Sequence, residues 1–400
     1  MDGVAAARMG DQIAHGFGLM AMIGGAILGA VVGAAIVAAT AATGGMAAVI
    51  IAGSVAAGGL SVAGIVSGIQ TIFELPDPPS GVIAMGSPNV LTNTRPAVRA
   101  NLDFAAPCSG SPMNHFPMPG PVPVFQGSKT VLINTQPASR LKMKLMCGAH
   151  IKQGSEDVLI GGETVTTGFI WDLESWTRDG LTILGLGAFL GAGAFAVAAG
   201  AAATGIFAGV SLLGAGLFEG LGMIGDAIGP GYRDLFQGVA GVALLAAGPR
   251  MARSTPAGQT QAAVRKMPQS FQDEYAAARA AGWKKPDGST WWPPNNGGVG
   301  TPKTGPLTPG TKLDRYGHTG GQFMGSAGDG IPQRALASPP TGTANKYTSQ
   351  PGLHVEQSPV APWFGQPGGG TQYRVVDPTG VNPKYSVQNA LDDGFLKIGH

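Results

Sequence analysis

Both cysteines of this chain sit close to histidines. Cys108 and His115 are separated by six residues, and Cys147 and His150 by two, the tight spacing by which one loop offers two ligands. Thiolate and imidazole together suit tetrahedral zinc. The two cysteines could instead form one disulfide, but their histidine neighbours favour a metal. A small, irregular domain with little core gains much from such a staple. No general base stands out beside the cluster, so the expected role is structural.

A second group of chemistry-bearing residues lies in 266–400. That stretch shows no Ser-His-Asp order, Walker loop or HExxH. It shows three clusters instead: Leu313-Asp314-Arg315-Tyr316-Gly317-His318 with Gly320-Gly321-Gln322-Phe323; Pro332-Gln333-Arg334-Ala335-Leu336; and Ala361-Pro362-Trp363-Phe364-Gly365-Gln366 running into Pro367-Gly368-Gly369-Gly370. Arginine offers bidentate contacts to phosphate, and glycine permits close backbone approach. Aromatic residues can stack on a base or nicotinamide ring. A buried glutamine can orient a water or a ribose hydroxyl without titrating. By residue type alone, Arg315 could equally pair with Asp314, and Gly368–Gly370 could be only a turn.

The elements that must position these residues are unusual. From Gln12 to Phe73, and again from Gly180 to Phe218, there is no Asp, Glu, Lys or Arg. A shorter apolar piece, Phe236 to Ala247, follows Asp226, Arg233 and Asp234. A membrane-crossing helix needs about 20 apolar residues, so the first stretch has room for two, with a turn expected at Thr43-Gly44-Gly45. The abundance of Gly and Ala suits close helix packing. Charged residues make up only 12% of the chain and Gly 66 of its 400 residues, so no single ordinary core is expected. A net charge of +2 gives no case for a nucleic-acid partner. The opening Met1-Asp2-Gly3 lacks a basic run, so no secretory signal peptide is expected; the chain should be held in the cytoplasm and leave by another route.

Between the apolar regions an internal repeat stands out. Gly86-Ser87-Pro88-Asn89-Val90-Leu91-Thr92-Asn93-Thr94-Arg95-Pro96-Ala97-Val98-Arg99 matches the stretch from Gly127 to Arg140, and Gly154 to Gly162 is a shorter echo. Each copy reads as turn, short strand, turn, so three should stack as a pseudo-threefold β structure. Residues 250–267 read as a linker, followed by a short amphipathic helix from Phe271 to Ala281 and a loop-rich α+β remainder.

The repeats and the Cys/His cluster resemble a PAAR domain, the zinc-stabilised cone that caps the VgrG spike of type VI secretion systems. Ala6-Ala7-Arg8-Met9-Gly10-Asp11-Gln12-Ile13-Ala14-His15 resembles the prePAAR pattern that completes the cone in a subset of these effectors. His15 thereby becomes a fifth candidate ligand beside Cys108, His115, Cys147 and His150. Four-coordination cannot accept all five; the first choices are Cys108, His115 and Cys147, with His150 and His15 left open. Effectors of this layout resemble those shielded by Eag-type chaperones before secretion.

Asp-Arg-Tyr-Gly with Gly-x-Phe, then Gln-Arg-Ala-Leu, then Trp-Phe-Gly-Gln-Pro-Gly-Gly, preceded by Trp283 and Trp292-Pro293-Pro294-Asn295, are similar to the tuberculosis necrotizing toxin (TNT) family. That resemblance covers about 268–400 and implies hydrolysis of NAD(P)+ to nicotinamide and ADP-ribose. It makes Arg315 and Gln366 the central pair. Phe323, Arg334, Tyr316 and His354 join as substrate-binding residues, with the Tyr347 neighbourhood as another place for the family's histidine role.

The expected architecture is multidomain, with helical transmembrane regions, a small β PAAR cone and a C-terminal α+β toxin domain. Its parts are a prePAAR motif (1–15), a first hydrophobic region (16–74), the PAAR domain (75–165), a second hydrophobic region (176–249), the linker (250–267) and the toxin (268–400). The expected partners are the VgrG spike, an Eag-type chaperone, a cognate immunity protein and the target cell's inner membrane. A nuclease on the same scaffold, or a pore former, are the competing readings.

Overall fold

The computed structural model describes residues 3–40, 42, 44–109, 120–199 and 201–399. His115 and part of the expected turn at 43–45 lie outside the described residues. One compact unit comprises residues 1–35 and 43–248, and the other 36–42 and 249–400.

The repeat folds as equivalent hairpins. Leu91–Thr92 pairs with Arg95–Pro96, and Leu132–Ile133 with Gln136–Pro137. Their turn residues sit at left-handed φ, 50° and 65° at Asn93 and Thr94, 48° and 67° at Asn134 and Thr135. That twist matches a two-residue hairpin, and asparagine tolerates it better than most residues. The third copy, Leu159–Ile160, takes its partner strand from the N-terminus, Val4–Ala5. Three bridges then close a ring: Ala6 with Arg140, Ala138 with Arg99, and Ala97 with Arg8. Ala6, Ala97 and Ala138 are buried where the three units meet, a place that favours a small side chain.

Behind the ring lies a five-stranded antiparallel sheet in the order His150–Ile151, Gln12–Ala14, Pro79–Ile83, Phe104–Cys108, Val122–Pro123. Ile13, Ile83, Val98, Val122, Val124, Leu145 and Ile151 form its core.

The apolar regions are five helices: α1 (Gly18–Thr40), α2 (Gly44–Ile72), α3 (Leu173–Ala199), α4 (Ala201–Ile228) and α5 (Tyr232–Ser254). All five are long and apolar enough to cross a membrane. The second region thus holds three helices, α3 beginning slightly before the expected boundary. Glycine sets the packing, as its abundance suggested. A Cβ at Gly25 would lie 2.2 Å from the Gly58 carbonyl oxygen, and one at Gly29 would lie 2.0 Å from that of Ser54. With Gly33 against Ile51, these glycines form a stripe on α1 at four-residue spacing that brings two helix backbones together. α3 and α5 both pack antiparallel to α2, Gly59 meeting Leu181 and Ser61 meeting Gly238.

The linker expectation is corrected. α5 runs on to Ser254, and α6 (Pro256–Val264) follows, capped by Thr255. Val264 is buried with Phe271, Tyr275 and Trp363, and Thr260 donates its hydroxyl to the Gly365 carbonyl at 3.0 Å. These residues belong to the core of the C-terminal unit because their buried side chains recur on one helical face. α7 (Gln269–Ala280) completes that cluster.

The remainder is a seven-stranded antiparallel sheet in the order Lys303–Pro306, His354–Pro359, Thr371–Val376, Phe323–Ser326, Lys312–Arg315, Asn345–Ser349, Leu396–Ile398. Leu313, Met324, Tyr347, Val355, Tyr373 and Val375 bury between it and the short helix Val387–Asp392, which Ser386 caps. The α+β expectation holds.

Candidate functional sites

The sheet ends place three of the five metal candidates together. His15 follows the Gln12–Ala14 strand, Cys108 ends the Phe104–Cys108 strand, and Cys147 lies in the turn before His150. His15 Nε2 is 3.6 Å from Cys108 Sγ and 3.7 Å from Cys147 Sγ, and the two sulfurs are 3.7 Å apart. The cysteines are free thiols, so the disulfide alternative is absent. Contact with Cys147 lowers the Cys108 pKa, whereas Cys147 is pushed up to about 12 by that same contact and by burial. His150 turns away from the sulfurs: its Nε2 lies 3.3 Å from Asp77 Oδ2, and burial lowers its pKa against the pull of that carboxylate. Its place in an edge strand, paired with Ala14, directs it there. Between His150 and His15, the geometry favours His15. His115 is outside the described residues.

In the C-terminal unit a cavity of about 780 Å³ is lined by Arg315, Tyr316, Phe323, Arg334, Trp292 and Phe364, among others. Four of the six toxin-site candidates therefore share one space. Arg315 donates through Nε to the His318 carbonyl at 2.8 Å and through Nη1 to that of Phe323, and burial lowers its pKa. A Cβ at Gly321 would lie 1.9 Å from its Nη2, so this glycine is what admits the guanidinium.

Arg334 differs from expectation. It pairs with Asp314, and it also donates to the Asp329 and Ser326 carbonyls at 2.9 Å each. Its side chain is only 7% exposed. The carboxylate offered to Arg315 by sequence adjacency is thus taken by Arg334. Arg334 also lies over the Tyr316 ring, 5.5 Å from its centroid.

Gln366 sits beside the cavity wall without lining it. Its Nε2 donates to the Leu336 carbonyl at 2.7 Å, and its Oε1 is buried with no hydrogen-bond partner. A tight turn holds it: Phe364 and Gly365 have φ of 49° and 73°, and the Gln366 amide donates to Trp363 at 2.8 Å. Trp363 anchors that turn in the Phe271–Tyr275–Trp283 aromatic cluster.

His354 is not brought to this space. It pairs with Pro306 and Val376 within the sheet, its Nδ1 buried without a partner. Tyr347, the other place considered for that role, is core. Sequence reasoning passed over Asp314 as the anchor of Arg334, and Phe364 as a wall beside Trp292, whose ring centroid is 5.6 Å away. Their adjacency to Arg315 and Gln366 was the available signal.

Comparisons with known proteins divide the chain in the same way. Residues 1–67 match the class I prePAAR effector Rhs1 motif, 74–153 the PAAR motif, and 306–398 the tuberculosis necrotizing toxin. The NAD(P)(+) glycohydrolase toxin Tse6 of Pseudomonas aeruginosa is 55% identical over 260 residues, 65% of this chain and 60% of that protein. The (p)ppApp synthetase toxin Tas1 of the same species is 53% identical over 232 residues, 58% of this chain and 53% of that protein. A conidial surface nicotinamide adenine dinucleotide glycohydrolase of Aspergillus fumigatus is 32% identical over 146 residues, 32% of this chain and 56% of that protein. The chain spans little more than half the length of these relatives. Within its own length it carries, in order, a class I prePAAR motif, a PAAR motif and a tuberculosis necrotizing toxin domain.

Proposed function

We propose that this chain is a type VI secretion effector whose C-terminal domain hydrolyses NAD(P)+ to nicotinamide and ADP-ribose or its phosphate. One observation carries the reading: the cavity that gathers Arg315, Tyr316, Phe323 and Arg334 is built mainly from the residues that match the toxin family. Overall identity alone does not carry it, since the two Pseudomonas relatives are named for different activities. A volume of about 780 Å³ suits a dinucleotide.

In the reaction, water adds to the anomeric carbon as the nicotinamide–ribose bond breaks. The bond's electron pair returns to the pyridinium, neutral nicotinamide leaves, and one proton is released to solvent. No general acid is required. Arg315 keeps donors to spare after its two carbonyl contacts and faces the cavity as the pyrophosphate anchor. Arg334 is mostly committed to Asp314 and two carbonyls, so it frames the wall and offers only its Nη1 edge. Phe323 and Tyr316 give apolar faces to the nicotinamide side. Gln366 Nε2 holds the Leu336 carbonyl of the cavity wall, and its unpartnered Oε1, buried behind that wall, is the acceptor left for the attacking water or a ribose hydroxyl when the wall gives way. Such a site works by positioning and electrostatics. It lacks the carboxylate pair of ordinary glycoside hydrolysis.

His15, Cys108 and Cys147 fit zinc. Ligand atoms about 2.0–2.3 Å from a tetrahedral ion stand about 3.5–3.8 Å apart, and the three separations are 3.6, 3.7 and 3.7 Å. His115 is the sequence's candidate for the fourth position. Bound there, zinc would tie the N-terminal strand to the cone.

The cone's partner is the VgrG spike. Leu91, Leu132 and Leu159, equivalent in the three hairpins, are 61%, 57% and 59% exposed and would present a threefold apolar face to it. Before delivery an Eag-type chaperone covers apolar residues such as Leu212 and Leu213, which are 75% and 77% exposed. A cognate immunity protein shields the producer, and the five helices enter the target's inner membrane.

The test is incubation of the purified full chain with NAD+. Nicotinamide appearing in step with NAD+ loss supports the reading; intact NAD+ refutes it.

A further inference from the structure

Gln366 is kept behind the cavity wall by one contact, and that contact comes from a stretch with little else to hold it. Residues 336–344 run along the cavity, Leu336, Ser338, Pro340 and Thr343 among its lining. They carry no charge and no aromatic ring. None of them is buried, and none joins a hydrophobic cluster of the C-terminal unit. Among the described residues, the bond from Gln366 Nε2 to the Leu336 carbonyl is the one hydrogen bond that any of them makes.

Both ends of this stretch are fixed. Arg334, just before it, is tied to Asp314 and to the Asp329 and Ser326 carbonyls. Asn345, just after it, pairs with Arg315 in the sheet, and its Nδ2 donates to the Gly317 carbonyl at 3.1 Å. Between Arg334 and Leu336 stands Ala335 at φ 46° and ψ 51°, a left-handed conformation that alanine rarely adopts. Gly342, near the other end, has φ 118°. Gln366 itself sits on a firm base: its amide donates to the Trp363 carbonyl, and the Trp363 ring is fully buried. When the Leu336–Gln366 bond breaks, it is therefore the 336–344 side that moves.

We propose that residues 336–344 are a strap and that the Leu336 carbonyl latches Gln366 in a resting, self-inhibited state. The proposal rests on the reading of Gln366 as the group that meets water or a ribose hydroxyl, and adds how that group is withheld. The latched state occupies Nε2 with a backbone carbonyl and leaves Oε1 buried without a partner. Lifting the strap exposes both ends of the amide to the cavity. A dinucleotide that needs Gln366 competes with Leu336 for it, so the latch raises KM by the inverse of the unlatched fraction and leaves kcat unchanged. One hydrogen bond favours the latched state only by about twofold to tenfold, so substrate binding can displace it.

Two substitutions away from Gln366, Arg315 and Arg334 should move KM in opposite directions. Ala335→Gly removes the left-handed penalty from the latched state, and should raise the KM for NAD+ by about threefold or more at unchanged kcat. Pro339→Gly with Pro340→Gly frees the unlatched strap, and should lower KM by about threefold. A wall that serves only as structure would give losses in both. A second measurement needs no turnover. Thermolysin cuts before leucine, and cleavage of the Ala335–Leu336 bond in the folded full chain in detergent is followed by mass spectrometry. Gln366→Ala removes the latch and should speed that cleavage by about threefold or more. KM shifts of the same sign, no shift in either variant, a change confined to kcat, or equal cleavage of wild type and Gln366→Ala overturns the proposal. A wild-type chain that leaves NAD+ intact refutes the enzymatic reading, while the cleavage rates still decide whether the latch exists.

Discussion

Val4 stands opposite Ile160 in an antiparallel pair, joining the start of the chain to the last copy of the repeat. Asp11 locks this strand in place: buried, it accepts from the Arg8 amide at 2.7 Å and pairs with the Arg8 and Arg95 guanidinium groups. Asp11→Ala should cost about 2–3 kcal/mol, because it leaves two arginines without their shared carboxylate. Hydrogen exchange should speed at Ala5 and Ala6 before it changes in the C-terminal unit. Unchanged exchange there would show that the strand holds without its ion pairs.

Elemental analysis should find one zinc per chain. His15→Ala, Cys108→Ala and Cys147→Ala should each lower occupancy strongly, while His150→Ala should retain the ion, since His150 faces Asp77 instead. Chelation should loosen the cone and leave nicotinamide release intact. A full zinc complement in His15→Ala would overturn the ligand assignment.

Gln366→Ala should lower nicotinamide release by about 100-fold or more, with a stability loss of about 1 kcal/mol from the lost bond to Leu336. Arg315→Lys keeps the charge but loses the fork that spans the His318 and Phe323 carbonyls, so it should raise KM and lower kcat together. His354→Ala should leave kcat nearly unchanged, because His354 lies in the sheet away from the cavity. Wild-type turnover by the Gln366 or Arg315 variant would remove that residue from the site.

Trp363→Ala should cost about 3–5 kcal/mol. The ring is fully buried among Phe271, Tyr275 and Trp283, and its indole N–H donates to the Trp291 carbonyl at 2.7 Å. Activity should fall with it, since Trp363 carries the turn that holds Gln366. Denaturant unfolding and nicotinamide release, measured together, check the coupling.

Gly29→Val should force α1 from α2, as its Cβ would fall 2.0 Å from the Ser54 carbonyl oxygen. The expected loss is about 1–3 kcal/mol, read as a lower thermal midpoint of the chain in detergent. Gly209→Val, where the space is open, is the control and should shift it little.

Much of this organisation is legible along the chain because it depends on local composition. Long uncharged runs define the helices, and a repeated turn such as Asn93-Thr94 and Asn134-Thr135 defines the hairpins by its own backbone preference. The clustering of Arg315, Tyr316 and Phe323 was readable for the same reason, as Arg315 and Phe323 lie on two adjoining strands and Tyr316 begins the glycine-rich turn that joins them. What sequence left open depended on long-range register. Nothing local distinguishes His15 from His150 as the ligand to join Cys108, His115 and Cys147; sheet pairing turns one toward the sulfurs and the other toward Asp77. Nor does it reveal that Asp314 serves Arg334 rather than its neighbour Arg315, or that residues 256–264 close the core of the C-terminal unit. The sequence by itself determined the elements, because turns and apolar runs act over a few residues. Only the tertiary structure decided their partners, because a side chain's contacts follow from which strand or helix is packed beside it.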